Sequence, residues 1–363
     1  MNLTKIIRER LKLMSGGAQQ SSNNNLIVRC EKNPCEEIGK GNFGEVYKGA
    51  YKENDGADCY KHVGLKVLKL ANEDYVKKNF ELTNTDKINK KVKKLNNKST
   101  KEFDNEKKIS LHLTGNTNVV KFYGETKFPG DINRRCLVFE YCKHGDLKKY
   151  LDPDPEILNY DQKIKILKQI CEGMAFIHGQ KVLHRDLAAR NIFLDKDKNA
   201  KVADFGLAVK ADKLTYLYKR GTIIPIRYMS PKFFENNKTF NIQTDLWAFG
   251  IIVWEIFTDK RVDGKIPAPY NVNRGVQKIL ENPKNDLVFF TNDFETNNKT
   301  ANAIIRQCFE PAFDDGVKDR TFKDLLTFIT VPTTGGSRKK KRTLKKGGRP
   351  KRKQSKKTRK ARK

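Results

Sequence analysis

The chain has 363 residues, with 74 Lys and Arg against 43 Asp and Glu, for a formal net charge of +31. That length can bury a large core and exceeds a typical single domain. Seventeen of the basic residues lie between Arg338 and Lys363 with no acid among them, which leaves +14 for residues 1–337, still basic but ordinary for a globular domain with lysine-rich loops.

Residues 1–14 place Leu3, Ile6, Ile7, Leu11 and Met14 at helical spacing with Lys5, Arg8 and Arg10 between them. This is either a basic membrane-surface helix or a short helix docked on the domain. With charge spread through its apolar positions the segment does not read as a secretory signal. "SGGAQQSSNNN" (15–25) reads as a flexible linker, so residues 1–25 form an N-terminal extension. Residues 26–331 carry the periodic patterns of a folded domain, and 332–363 are basic, low in complexity and expected to be disordered. The seven cysteines are scattered without a Cys-x-x-Cys pair. Cys30 and Cys35 have no nearby histidine or second pair to complete a metal site, so free thiols in a reducing compartment are expected.

Within the folded part, "EEIGKGNFGEVYKGAY" and "VGLKVLKL" read as strands, with a tight turn at Asp55-Gly56 between them. The lysine-rich stretch 71–99 reads as an insertion with a short helix around Ile88, Val92 and Leu95, followed by a helix from near Thr100. After residue 145 apolar residues recur at three and four, as in "YDQKIKILKQICEGMAFIHGQ". Strands ahead of helices predict an α+β fold of two lobes. The longest apolar run, "WAFGIIVWEIF" (247–257), is too short to span a bilayer and contains Glu255, so a buried core helix and an intracellular protein, cytoplasmic or nuclear, are expected.

Chemistry concentrates in five places. "GKGNFGEV" sets Gly39, Gly41 and Gly44 in a strand-turn-strand context, where missing side chains let the backbone approach phosphates and Phe43 caps the turn. Lys66 stands mid-strand, able to reach phosphates as a point charge. Glu102 or Glu106 on the following helix is placed to hold that lysine. "HRDLAARN" (184–191) puts Asp186 beside arginine with a carboxamide, Asn191, five residues on, and "DFG" follows at 204–206.

In this order the motifs resemble the eukaryotic protein kinase family across residues 38–331. The resemblance implies an antiparallel-sheet N-lobe (about 26–140) with one main helix and a mainly helical C-lobe (about 143–331). It implies ATP and Mg2+ as cofactors and protein substrates as partners. Asp186 is then the catalytic base, Lys66 the anchor of the α- and β-phosphates, Glu106 the partner of Lys66, and Asn191 and Asp204 the magnesium ligands. Gly39, Lys40, Gly41, Phe43 and Gly44 cover the nucleotide. Val46 and Phe193 sandwich the adenine, Gly64 lies in its ceiling, and backbone groups of Glu140 and Cys142 hydrogen-bond it beside a Phe139 gatekeeper. Gly64 replaces the family's usual alanine, and Ser110 falls at a usually apolar position behind Glu106.

Ala188 with Arg190, in place of a lysine two residues after the catalytic aspartate, resembles the tyrosine-kinase group, as does "PIRYMSP" (225–231). A dual-specificity or tyrosine-kinase-like serine/threonine enzyme is the alternative, and a pseudokinase scaffold a lesser one. Tyr216, and secondarily Tyr218, are candidate autophosphorylation sites whose phosphate would pair with Arg185. Lys232 stands where the family has a glutamate and Asp319 where it has that glutamate's arginine partner, so a charge-reversed ion pair is expected. The basic tail suits nucleic acid or anionic lipid and lacks the aromatics that base stacking needs.

Overall fold

A computed structural model describes residues 27–30, 35–40, 44–52, 61–129, 131–154, 156–219, 224–235, 238–260, 294, 296–312 and 318–330. The expected N-terminal extension, the Asp55-Gly56 turn, Gly41, Phe43 and the basic tail lie outside these residues, as does the side chain of Lys40.

The small lobe is an antiparallel sheet. It comprises β1 (Ile27–Cys30), β2 (Glu37–Lys40), β3 (Gly44–Lys52), β4 (Lys61–Leu68), β5 (Phe122–Phe128) and β6 (Asp131–Glu140). The strand order is β1-β3-β4-β6-β5, with β2 also on β3. Alternation in β4 sends Val63, Leu65 and Val67 into an apolar layer with Tyr51, Cys136 and Val138. Lys66 points to the other face, opposite Val46 of β3 and Leu137 of β6. The thiols of Cys30 and Cys35, expected to be free, are instead joined in a disulfide. Cys30 ends β1 and Cys35 stands just ahead of β2, with their Cα atoms 5.1 Å apart, within disulfide reach.

Between β4 and β5 run α1 (Glu73–Phe80) and α2 (Thr85–His112). The two helices expected from near Ile88 and near Thr100 are one 28-residue helix. Asn84 caps it by accepting from the Lys87 amide, and neither Gly nor Pro interrupts the sequence to His112. Ile88 and Val76 are fully buried, so the insertion packs as a hairpin of helices that lengthens α2 backward.

The large lobe is helical. It contains α3 (Leu147–Leu151), α4 (Tyr160–Gly179), α5 (Pro231–Glu235), α6 (Ile242–Phe257), α7 (Lys299–Phe309) and α8 (Phe322–Thr330). Short strands punctuate it: β7 (Val182–Leu183), β8 (Ile192–Leu194), β9 (Ala200–Val202), β10 (Val209–Lys210), β11 (Thr215–Leu217) and β12 (Thr239–Asn241). Helix α6 is buried from Thr244 to Ile256 and forms the axis of the core. Helix α7 packs so closely on it that a Cβ at Gly250 would come within 2.6 Å of the Phe309 ring. Among the described residues no helix is long and apolar enough to cross a membrane.

Candidate active site

Three chain segments meet at Lys66. Its Nζ lies 2.7 Å from the carboxylate oxygens of Glu106 on α2 and 3.0 Å from Asp204 Oδ1 in the loop after β9. Burial pulls the lysine pKa down, but Asp204 and Glu106 outweigh it and hold the ammonium above the ordinary lysine range. Burial pushes the Glu106 carboxyl up to about 7, against the pull of Lys66. Glu102, the alternative partner of Lys66, lies 4.0 Å from Lys98 instead.

One residue that sequence reasoning passed over sits beside Glu106. Asn105 Nδ2 faces the carbonyl oxygens of Phe205, Gly206 and Ala208 at 3.4, 3.3 and 2.9 Å. It clasps α2 to the loop that carries Asp204. Its only sequence signal was adjacency to Glu106.

The turn from β7 delivers the second half of the site. Asn191 Nδ2 donates to the Asp186 carbonyl at 2.7 Å and to Asp186 Oδ2 at 2.9 Å. Arg190 forms an ion pair with Asp186 Oδ1. Burial pushes the Asp186 carboxyl above the ordinary aspartate range, only partly opposed by Arg190. Arg185 and Asp204 both take left-handed backbone angles, φ +67° and +63°, which non-glycine residues hold only when their surroundings enforce it. For Arg185 the enforcement comes from Asp245 of α6. Its carboxylate accepts from the amides of His184 and Arg185 at 3.0 and 2.9 Å and is bonded to His178 Nε2 at 2.8 Å. Burial works against the Asp245 charge, yet these donors hold its pKa below the ordinary range. Asp245 was also missed; an aspartate opening the apolar run "TDLWAFG" was the available signal.

Among the described residues, the remaining expected site residues fall on β2, β3, β4, β6 and β8 and on the segment after β6. A Cβ at Gly64 would meet Val46 Cγ1 and the Glu140 carbonyl at 4.0 Å, so the glycine leaves a methyl-sized space under the sheet. Gly44 has a structural reason of its own, since a Cβ there would lie 2.7 Å from the Val67 carbonyl. Gly39 has no comparable obstruction, its nearest neighbour being Val46 at 3.7 Å. Phe193 lies on β8 opposite Lys201, whose ammonium pairs with Glu140 at 3.0 Å. The Phe139 ring meets that of Phe122 in a tilted contact, centroids 5.1 Å apart, and packs with Phe103 of α2. Cys142 is buried, which pushes its thiol up to about 12 and leaves its backbone as the group a ligand would meet.

This donor set fits a magnesium nucleotide. With the Asn191 nitrogen engaged, its amide oxygen and the Asp204 carboxylate are the hard oxygen ligands that Mg2+ favours. Among the described residues no group of three or more His, Cys, Asp or Glu is placed to hold a metal ion.

The pattern of the protein tyrosine and serine/threonine kinase family matches residues 77–315, more than half of the chain. The chain belongs to this family. Its kinase region is 33% identical over 238 residues to the NT-3 growth factor receptor of Sus scrofa and 34% over 241 residues to that of Gallus gallus. Each alignment covers 61% of this chain and 25% of the receptor. It is also 30% identical over 235 residues to the serine/threonine-protein kinase STY46 of Arabidopsis thaliana, covering 64% of this chain and 34% of that one. The chain thus spans about a quarter to a third of the length of these relatives.

Two further features of the kinase domain bear on regulation and support. The Arg185 guanidinium lies between the rings of Tyr216 and Phe240, 4.6 and 4.3 Å from their centroids. Its Nε and Nη2 are buried without a hydrogen-bond partner among the described residues. Tyr216 is paired with Phe240 across β11 and β12, and Tyr218 packs beside them with Lys238 5.9 Å over its ring.

The expected ion pair between Lys232 and Asp319 is not formed. Lys232 Nζ donates to the Pro311 carbonyl at 3.1 Å, and Asp319 is exposed. The neighbouring Arg320 turns inward instead, donating to the Gln307 carbonyl at 2.7 Å and pairing with Glu310 at 3.2 Å. Both cations therefore collect on the C-terminal end of α7, where unpaired carbonyls and the helix dipole favour positive charge. The register of this support is shifted by one residue from the family pattern.

Proposed function

We propose that the protein transfers the γ-phosphate of ATP to tyrosine hydroxyls of protein substrates. The observation that carries this reading is the pairing of Arg190 with Asp186. A lysine two residues after the catalytic aspartate is absent, because that position is the fully buried Ala188. Arg190 reaches back to Asp186 from two residues further on, and its guanidinium lies 5.2 Å over the ring of Tyr228. Tyr228 is fixed in turn by its hydroxyl, which donates to the buried Glu255 at 2.8 Å. This braces the loop that follows Pro225, the segment expected to seat a substrate phenol.

In the reaction the substrate oxygen bonds to the γ-phosphorus as the bond to the β,γ-bridging oxygen breaks and ADP leaves. Asp186 orients and accepts the hydroxyl proton, and Lys66, held by Glu106, positions the α- and β-phosphates. Asn191 and Asp204 would hold Mg2+, which supplies charge neutralisation on the phosphates. Gly39, Gly44, Val46, Gly64 and Phe193 enclose the nucleotide, with Lys40, Gly41 and Phe43 completing the cover. Backbone groups of Glu140 and Cys142 hold the adenine.

Arg185, with two unpartnered guanidinium nitrogens beside Tyr216, supports autophosphorylation of Tyr216, with Tyr218 secondary, as the step that orders this loop. The basic tail offers a contact for nucleic acid or anionic lipid, and a cytoplasmic or nuclear location suits the composition. A serine/threonine or dual-specificity activity is the second reading, favoured by the plant relative. Purified chain incubated with labelled ATP and magnesium, followed by phosphoamino-acid analysis, tests the choice. Phosphotyrosine is expected. Phosphoserine or phosphothreonine alone selects the second reading, and absence of label a scaffold.

A further inference from the structure

The backward extension of α2 carries a charge pattern that phosphoryl transfer does not use. From Lys87 to Lys101 there are seven lysines and no acid. At 3.6 residues per turn, six of them (Lys87, Lys90, Lys91, Lys94, Lys98 and Lys101) fall within an arc of about 100°, on a line about 21 Å long. Lys87, Lys90, Lys94 and Lys101 are exposed, while Lys91 and Lys98 are half-buried along the same line. Only Lys98 has a carboxylate near it among the described residues, Glu102 at 4.0 Å in the next turn. The opposite side of the helix is occupied, with Ile88 buried against α1 and Phe103 and Glu106 buried against the small lobe. An aromatic ring stands beside the line: Phe80, at the end of α1, is 39% exposed and has Lys91 Nζ 3.9 Å over its ring.

We propose that this face of α2 is a docking surface for single-stranded nucleic acid, separate from the basic tail. A file of ammonium groups one helical turn apart, with no interleaved acid, complements a phosphodiester backbone. A part-exposed ring at its edge supplies the stacking platform that an unpaired base needs. A lipid surface fits less well, because the lysine file itself carries no exposed large apolar side chain: Val76 and Ile88 are fully buried, and only the Tyr75 and Phe80 rings of α1 are exposed beside it. Because the same helix bears Glu106 and Asn105, a strand docked here sits on the element that holds Lys66.

The test is fluorescence anisotropy of fluorescein-labelled oligo(dT) and oligo(U) titrated with the full chain between 50 and 200 mM salt. Removing three lysines together (Lys90→Ser, Lys94→Ser, Lys101→Ser) should weaken binding roughly 10- to 100-fold and reduce the salt slope of log K by about 2, since each phosphate contact contributes about 0.7 on single strands. Phe80→Ala should weaken binding about 5-fold or more while leaving the slope unchanged. Melting temperature and basal phosphoryl transfer of the triple variant should match wild type, because these side chains lie at the surface away from Lys66. Unchanged affinity and slope in the triple variant would overturn the proposal, as would a full chain that binds neither oligonucleotide. Loss of binding to phosphatidylserine vesicles with oligonucleotide binding intact would assign the surface to membrane instead.

Discussion

The two halves of the candidate active site are held by different means. The catalytic loop hangs from the backbone: Asp245, on the most deeply buried helix, takes the amides of His184 and Arg185 and imposes the left-handed turn at Arg185. The other half is tied to α2 through side chains, by Lys66 on Glu106 and by Asn105 on the carbonyls of Phe205, Gly206 and Ala208. Behind that half the Ser110 hydroxyl is buried without a hydrogen-bond partner among the described residues, where an apolar side chain would pack against its neighbours. The comparison teaches that Asp186 is positioned by folding itself, whereas the geometry around Lys66 can be lost while the fold persists.

The largest effects should separate the halves by kind. Asp245→Ala leaves two buried amides unsatisfied and should cost about 2–5 kcal/mol of stability together with activity, read by chemical denaturation. The depressed Asp245 pKa gives this contribution a pH signature. It is present above the ordinary aspartate value of about 4 and lost as pH falls through the lower folded value, so Asp245→Asn should flatten the acid limb of stability. Glu106→Gln, by contrast, should lower kcat/KM on the order of 100-fold and change stability by less than about 1 kcal/mol. A Glu106 variant as unstable as Asp245→Ala would erase the distinction. Because Glu106 must ionise to hold Lys66 and titrates at about 7, wild-type kcat/KM should rise across neutral pH, and Glu106→Gln should remove that rise.

Legibility in the sequence followed the same division. Lys66, Asp186, Asn191 and Asp204 stood out as candidates because each sits in a short motif, and the fold brings them together as two linked clusters. Asp245 was invisible because it acts on residues about 60 positions earlier, and nothing local in "TDLWAFG" says where its carboxylate points. The start of α2 was placed late because lysine-rich turns carry little apolar periodicity; burial of Ile88 and the Asn84 cap fix it. The partnership of Lys232 failed on a shift of one residue, since Arg320 rather than Asp319 turns inward.

Smaller effects sharpen the picture of the adjustable half. Asn105→Leu should lower kcat about 10-fold with little change in melting temperature and should favour ligands that bind with residues 204–206 turned outward. A normal kcat would remove the clasp from the mechanism. Ser110→Leu fills the site of the orphaned hydroxyl with apolar volume and should raise basal activity two- to fivefold, on the order of 0.5–1 kcal/mol. A decrease would mean that the hydroxyl is needed where it is.

Hydrogen exchange of the full chain, followed residue by residue, tests the contrast most directly. Protection of the His184 and Arg185 amides should approach the limit set by global unfolding, while the amides of α2 around Glu106 open at free energies several kcal/mol lower. Equal protection of the two segments, or faster exchange at His184 and Arg185, would contradict a catalytic loop fixed by the fold and a helix held by side chains.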